Sequence, residues 1–229
     1  MVEDCVFCCI FEAGILKTII MKRKSFAIIF ACFALALVAQ DAIKVNYKGT
    51  KPNISDFAWA FLSDYVYDEN DDDCINEVRA SVKQAWILHR KGAPQKRGET
   101  LTIDNKNGYV VFEHKEMNES YEDLGRVEMC YWNEADGKHK LFAYSVSCFR
   151  DGKYEPGQFD GLQFYRYNNA TKKMTYCEAP GFENAIGVDG GYVTYSLPRT
   201  GKDITVTYWY ENGTKKQKKL KWNGRKFSF

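Results

Sequence analysis

The sequence predicts an α+β fold in which two N-terminal helices pack on a large antiparallel β-meander, built as a sheet or as an open barrel or sandwich. Two segments before residue 95 carry apolar residues at helical spacing. From Glu99 onward the apolar period becomes two, which is the side-chain period of a strand. Short stretches rich in Asn, Asp and Gly separate the predicted strands, and such connections favour hairpins over helical crossovers.

The first helix is predicted to begin after Ser55, whose hydroxyl oxygen can accept a hydrogen bond from a backbone N–H of the first turn. Apolar residues recur from Phe57 to Val66, which gives this segment a face that can pack on a sheet. The helix is predicted to end near Tyr67, because the acidic run 68–73 follows it directly.

The second helix is predicted to begin after Asp72 or Asp73, since negative charge stabilises a helix N-terminus. Its last turn carries His89-Arg90-Lys91, and Gly92 and Pro94 are the expected stop signals. The residues at helical spacing between these ends are Ile75, Val78, Val82, Ala85 and His89, with Trp86 beside them.

The strands predicted after the helices are Thr100–Asp104, Gly108–His114, Arg126–Trp132, Lys138–Phe149, Gly161–Tyr167, Lys173–Glu178, Gly191–Leu197, Asp203–Glu211, Lys215–Trp222 and Arg225–Phe229. Pairs such as Asp136-Gly137 and Asn212-Gly213 tolerate the positive φ angles of hairpin turns. The lysine-rich segment 215–221 is predicted to be an edge strand, because lysines keep an open edge from pairing with another chain. A site for a polyanion is the alternative interpretation of this segment.

Residues 21–41 have the three-part organisation of a secretory signal peptide. A basic start, Met21 to Lys24, precedes an apolar run, and Ala39 then precedes Gln40-Asp41. The apolar run has about 14 residues, fewer than the roughly 20 needed to cross a bilayer. We therefore predict that Met21 is the true start and that residues 1–39 are an upstream extension plus a signal peptide cleaved near Ala39. The mature chain is then periplasmic or extracellular, without a membrane span.

Residues 40–229 are predicted to form a single α+β domain, because no low-complexity linker divides them. The chain has 32 basic and 30 acidic side chains and a net charge of +2, so no nucleic-acid partner is expected. Its 15 Tyr, 15 Phe and 5 Trp residues favour strands. They also suit a carbohydrate or protein partner, whose identity the sequence leaves open.

An even number of cysteines in an exported chain suggests disulfides, and the four that follow the signal peptide allow three pairings: Cys74, Cys130, Cys148 and Cys177. If Asp136-Gly137 turns a hairpin, Cys130 lies opposite about residue 143, and Cys148 is then roughly 16 Å away on the other face. A disulfide needs Cα atoms within about 7 Å. Cys130–Cys148 is thus the least favoured pair, and buried unpaired thiols are the alternative to any disulfide.

The three histidines, His89, His114 and His139, show no metal-ligand spacing, and the chain has no G-x-S-x-G segment. The sequence therefore predicts no metal, no cofactor and no identifiable catalytic residue. A catalytic triad that forms only in the folded chain stays open.

Trp132 and Trp209 are the predicted ligand-binding residues. Each lies on the face of its strand opposite the more apolar set, so an exposed position is expected. An exposed indole ring can stack on a ligand. Aromatic residues on the apolar faces are expected in the core, since burial of one large ring can contribute about 4–6 kcal/mol.

Segments 197–204 and 220–227, with the lysine-rich signal peptide ending before Gln-Asp, resemble those of small exported proteins of unknown function from Bacteroides-type bacteria. This resemblance covers the signal and the C-terminal third. It implies a periplasmic or extracellular location and brings no activity.

The sequence is compatible with three functions. The first is an exported non-catalytic module that binds a ligand or partner on an aromatic sheet face. The second is a hydrolase-type enzyme with a dispersed site, which predicts a cleft where a His or Cys lies within hydrogen-bond reach of a carboxylate. The third is an inhibitor or assembly factor that acts through an open sheet edge.

Overall fold

The computed structural model describes residues 42–64, 74–117, 119–156, 161–182 and 191–229, without the side chains of residues 74–77. Within these ranges the helices are α1 (Ile54–Ser63) and α2 (Cys74–Arg90). The strands are β1 (Ile43–Lys44), β2 (Glu99–Asp104), β3 (Tyr109–Met117), β4 (Glu122–Asn133), β5 (His139–Arg150), β6 (Lys153–Tyr154), β7 (Gly161–Asn168), β8 (Lys173–Cys177), β9 (Gly191–Ser196), β10 (Ile204–Tyr210), β11 (Lys215–Trp222) and β12 (Phe227–Ser228).

Helix α1 begins at Ile54 because Asn53 caps it. The Asn53 side-chain oxygen accepts hydrogen bonds from the backbone N–H groups of Ser55 and Asp56, at 2.8 and 3.3 Å. Asp56 returns the interaction by accepting from the Asn53 backbone N–H at 2.8 Å, which completes a capping box. The N-cap predicted at Ser55 is therefore wrong, because the side-chain oxygen that accepts from the N–H groups of the first turn belongs to Asn53.

Of the other predicted helix ends, the structure describes the C-terminal end of α2, and the rest lie outside the described residues. Helix α1 ends at Ser63, and its predicted end at Tyr67 lies outside the described residues. The predicted caps of α2, Asp72 and Asp73, also lie outside them. At its other end α2 stops at Arg90, and Gly92 has a φ of +63°, as its stop signals predict.

The strands are antiparallel and dominate the described structure, which confirms the β-rich prediction. The large sheet has the order β1-β8-β7-β5-β4-β3-β2, with β6 paired to the end of β5. Strand β1 precedes both helices and pairs with β8, so the helices are not the first elements of the domain as the sequence predicted. A two-residue strand is too short to show a period of two, so β1 could not be predicted from the pattern of residues.

The last four strands form a second sheet, of order β12-β11-β10-β9. Both faces of the large sheet are consequently covered. Helices α1 and α2 pack on one face, the helix face, where Phe57 lies 5.0 Å from Tyr167 and 5.1 Å from Tyr131, centroid to centroid. The small sheet packs on the other face, the sheet face, where Trp132 meets Phe227 at 5.4 Å.

Buried polar side chains on the sheet face form hydrogen bonds with the backbone of β9 and of Leu197, the residue that follows this strand. Ser145 donates its hydroxyl to the carbonyl of Tyr195 at 3.1 Å. Glu128 accepts from the backbone N–H of Leu197 at 3.4 Å and from the hydroxyl of Tyr109 at 2.5 Å. An edge strand carries backbone groups without a neighbouring strand, and these side chains supply partners for two of them.

The register around Asp136-Gly137 is the one predicted, because Cys130 pairs with Ala143 and Cys148 pairs with Gly125. The row Cys130–Ala143–Phe164–Cys177 crosses three strand spacings, so Cys130 and Cys177 are about 14 Å apart. No disulfide joins the cysteine side chains that the structure describes. Pairings that involve Cys74 remain predictions, since its side chain lies outside the description.

The described residues belong to one compact unit, Gln40–Phe229. The predicted start at Met21, the signal peptide and its cleavage near Ala39 lie outside the described residues and remain predictions. Among the helices that are described, none is both long and apolar enough to cross a membrane.

Candidate binding site

Trp132 lies in the interior, between the two sheets. Its side chain is packed against Trp222 and Phe227, and the whole residue is 4% exposed. Its indole N–H donates to the carbonyl of Lys202 at 2.9 Å. The predicted exposed position of Trp132 is therefore wrong. The small sheet covers the face that the sequence pattern left open to solvent.

Trp209 lies at the surface as a half-buried residue of β10. Its ring stacks on Tyr154 at 6.1 Å with an interplanar angle of 29°, and it meets the edge of Phe149 at 6.1 Å. Tyr154 in turn meets Tyr192 at 5.9 Å. We call Phe149, Tyr154, Tyr192 and Trp209 the aromatic cluster.

The aromatic cluster joins the two sheets, because Phe149 and Tyr154 come from the large sheet and Tyr192 and Trp209 from the small one. Tyr192 is 55% exposed, so part of its ring is available to a ligand. Trp209 is directly opposite Tyr192 in the β9–β10 register, and its indole N–H donates to Thr194 Oγ1 at 2.9 Å. That hydrogen bond fixes the orientation of the indole ring.

A polar surface continues from the cluster across the outward face of the small sheet. Gln217 donates to Thr207 Oγ1 at 3.1 Å, and Lys219 donates to Thr205 Oγ1 at 2.6 Å. Lys215 lies opposite Trp209 in the register and places its ammonium group 5.2 Å from the indole centroid. An aromatic surface thus adjoins hydroxyl, amide and ammonium groups.

Strand β11, which carries these lysines, lies between β10 and the two-residue strand β12 in the small sheet. It pairs with β10 along one side, whereas among the described residues its other side pairs with β12 at Lys221 and Trp222 alone. Among the described residues, 215–220 therefore form an open edge, and the predicted edge position is confirmed for this part of the strand.

Sequence reasoning missed most of the aromatic cluster. Tyr154 belongs to the two-residue strand β6, which has no visible period. Phe149 lies on the sheet face of β5, and the sequence pattern marked it only as the end of a predicted strand. Tyr192 could have been found, since it occupies the same face of the small sheet as Trp209.

A second group of polar side chains surrounds the β4–β5 turn. The His139 ring Nδ1 lies 2.5 Å from Asp136 Oδ2, and its hydrogen bond is the main reason that the pKa of Asp136 falls to about 2. Arg166 forms a bidentate interaction with Glu134 at 2.8 and 2.5 Å and reaches Asp136 at 3.6 Å. Asn168 lies 3.2 Å from the other ring nitrogen of His139.

This group bears on two expectations from the sequence, the absence of a metal site and the hydrolase-type alternative. Ligand-type atoms of Glu134, Asp136 and His139 lie within 4.8 Å of one another, a grouping that spacing rules missed because it surrounds a turn. The guanidinium group of Arg166 already contacts both carboxylates and offsets one of their two negative charges. The group therefore has the features of an ion-pair network formed by the protein's own side chains.

A cleft of about 410 Å³ beside this network tests the hydrolase-type alternative. His139 lies within hydrogen-bond reach of a carboxylate, which that alternative requires. Cys177 lines the same cleft, but burial raises the pKa of its thiol to about 11. The thiol is then protonated at neutral pH and is a poor nucleophile.

The remaining histidines occupy other places. His89 is exposed in the last turn of α2. His114 lines a separate cleft of about 270 Å³ with Glu99 and Cys148.

Comparison with known proteins adds no relative to this description. No family model matches the chain, and neither does any curated protein or solved structure.

Proposed function

We propose that this chain is an exported, non-catalytic module that binds a carbohydrate on the aromatic cluster and the adjoining polar face of the small sheet. The observation that carries the proposal is the junction of Tyr154, Tyr192 and Trp209, three rings from two sheets with Tyr192 largely open to solvent. Export rests on the signal-peptide pattern at residues 21–41.

A sugar ring presents apolar C–H groups on its faces and hydroxyl groups at its rim. Aromatic side chains provide a rigid apolar surface with few rotatable bonds, so they lose little conformational entropy on binding. Thr205, Gln217 and Lys219 present hydrogen-bonding groups on the same face of the small sheet as Trp209. The combination suits a neutral or weakly polar ring better than an extended apolar peptide.

The chemistry around the β4–β5 turn favours binding over nucleophilic catalysis. Asp136 and Glu134 are held by His139 and Arg166, and the neighbouring Cys177 thiol has a raised pKa. Strand addition at β9 is also disfavoured, since Ser145 and Glu128 already bond to Tyr195 and Leu197.

The test is titration of the protein with a panel of neutral gluco-, manno-, xylo- and galacto-oligosaccharides. Binding is measured by tryptophan fluorescence and by calorimetry. We expect one class to bind and to change the Trp209 emission. Tyr192→Ala should weaken that binding about tenfold, or about 1.4 kcal/mol, without loss of folding, since more than half of this residue is exposed.

Tyr176→Ala is the matched control. Tyr176 is 47% exposed and pairs with Tyr165 on the large sheet, away from the aromatic cluster. Its removal should leave affinity unchanged. Equal losses in Tyr192→Ala and Tyr176→Ala, or no binding by any sugar class, would refute the proposal.

A further inference from the structure

Lys140 is a lysine with an almost completely buried side chain, at the start of β5. It lies on the helix face, the same strand face as Phe142 and Tyr144, and is 8% exposed. Its ammonium group donates a hydrogen bond to Asn133 Oδ1 and lies 5.0 Å from the centroid of the Tyr131 ring. Both partners are uncharged.

No carboxylate forms an ion pair with Lys140 among the residues that the structure describes. The charged group that acts on it is Lys51, a like charge, and burial together with Lys51 lowers the pKa of Lys140. A buried charge without an opposite charge is strongly unfavourable, so buried lysines are normally paired. Two lysines that approach each other without a counterion leave an uncompensated positive site.

The two lysines line the same cleft, whose volume is about 590 Å³. Asn133, His139 and Asn169 contribute further polar groups to its wall, and Tyr47 and Tyr131 contribute ring surface. This volume lies within the ordinary range of small-molecule sites.

Among the described residues that line this cleft, the carboxylate is that of Glu134, and it is paired with Arg166. Both oxygens of Glu134 accept hydrogen bonds from Arg166, at 2.8 and 2.5 Å. The positive charge of Lys51 and Lys140 is therefore the charge that a ligand in this cleft would meet.

We propose that the cleft binds the oxyanion group of a small acidic ligand, a carboxylate or a phosphate, between Lys51 and Lys140. The ligand supplies the negative charge that the protein does not provide to these side chains. The proposal is independent of the carbohydrate proposal, because Lys140 lies on the helix face and the aromatic cluster contains no residue of this cleft.

The experiment measures thermal unfolding and calorimetric binding with inorganic phosphate and with glucuronate, each against sodium chloride at the same ionic strength. A ligand that binds only the folded state raises the unfolding midpoint with concentration. We expect saturable stabilisation by at least one of the two anions, and the anion that binds more tightly identifies the class. A rise no larger than that with chloride for both anions would overturn the proposal.

Two variants separate a ligand site from a structural lysine. Lys140→Met should abolish the stabilisation while leaving the midpoint without anion unchanged or higher, since it removes an uncompensated charge. Lys51→Met changes an exposed residue, so the fold should persist while affinity falls at least fivefold. Lys51→Met decides the question if Lys140→Met does not fold.

Lys216→Met is the control for a general loss of positive charge. Lys216 is exposed on β11, and its removal should leave the affinity for both anions unchanged. Equal affinity in Lys51→Met and the unaltered protein would overturn the proposal, as would an equal loss in Lys216→Met.

Discussion

The two faces of the large sheet bury charge in different ways. On the sheet face, Glu128 is 5% exposed, and its two oxygens accept from Tyr109 and from the backbone of Leu197. On the helix face, Lys140 is nearly as buried, yet its partners are an amide oxygen and an aromatic ring. Glu128 thus receives two hydrogen bonds and lies near the opposite charge of Arg126, whereas no opposite charge is paired with Lys140 in the described structure.

The difference follows from what each face packs against. A helix satisfies its backbone groups internally, so Phe57 of α1 can pack on an apolar surface of the sheet that includes Phe142 and Tyr167. The small sheet instead brings strand β9, whose outer backbone groups need partners. Polar residues on the sheet face therefore have a structural explanation, whereas Lys140 has none in the folding of the chain.

The largest expected effect tests the apolar character of the helix face. Phe57→Ala removes a fully buried ring that contacts Tyr131, Phe142 and Tyr167. We expect a loss of about 3–5 kcal/mol in the free energy of unfolding, measured by urea denaturation. Tyr176→Ala should change it by less than about 0.5 kcal/mol. A loss below about 1.5 kcal/mol in Phe57→Ala would show that polar or strand contacts hold the helices instead.

A smaller effect tests the charge on the sheet face. Burial raises the pKa of Glu128 above its usual value, against the opposing effects of Tyr109 and Arg126. The folded state then keeps its proton to a higher pH than the unfolded state does. Stability should therefore fall as pH rises from the usual carboxyl range through the raised pKa, by at most about 1.4 kcal/mol per pH unit.

Glu128→Gln should remove this component of the pH dependence. The amide stays neutral, its oxygen can accept from Leu197, and its NH₂ group can donate to the Tyr109 hydroxyl. Urea unfolding between pH 5 and 8 measures both slopes. Parallel curves for the two proteins would mean that Glu128 is ionised in the folded state throughout this range.

The smallest effect tests whether the helices satisfy their own backbone. Asn53→Ala removes the side chain that accepts from Ser55 and Asp56 at the start of α1. The expected loss is about 1 kcal/mol in the free energy of unfolding. Asn53→Asp keeps an acceptor at the same position and should restore most of it. An unchanged stability in Asn53→Ala would indicate that the contact of Ser55 with Asn105 holds the helix start instead.

Local signals in the sequence predicted much of the strand framework. Turn residues such as Asp136-Gly137 set the β4–β5 hairpin, so that the pairing of Cys130 with Ala143 followed from counting. Strand β11 was located by its lysines and begins and ends at the predicted residues, Lys215 and Trp222. Such features depend on neighbours in the chain, which a sequence displays directly.

The division into two sheets depends on contacts between distant segments, and the sequence left a sandwich open beside a single sheet and an open barrel. In β4 and β5, both sets of alternating residues are buried. The pattern therefore suggested that the less apolar set, which includes Glu128, Trp132 and Ser145, faces solvent. The same error placed Trp132 at the surface. Lys140 was overlooked for the converse reason, because a lysine beside a turn is usually exposed and its burial depends on the packing around β5.

The pairing of β1 with β8 has a consequence for how the domain matures. Ile43 pairs with Met174, and both side chains are buried, although a ribosome makes the first long before the second. The earliest strand to emerge must wait for one of the latest in the large sheet, and such distant pairings form slowly. A chain threaded through a membrane with its amino end first would therefore carry this strand unpaired until most of the domain had crossed.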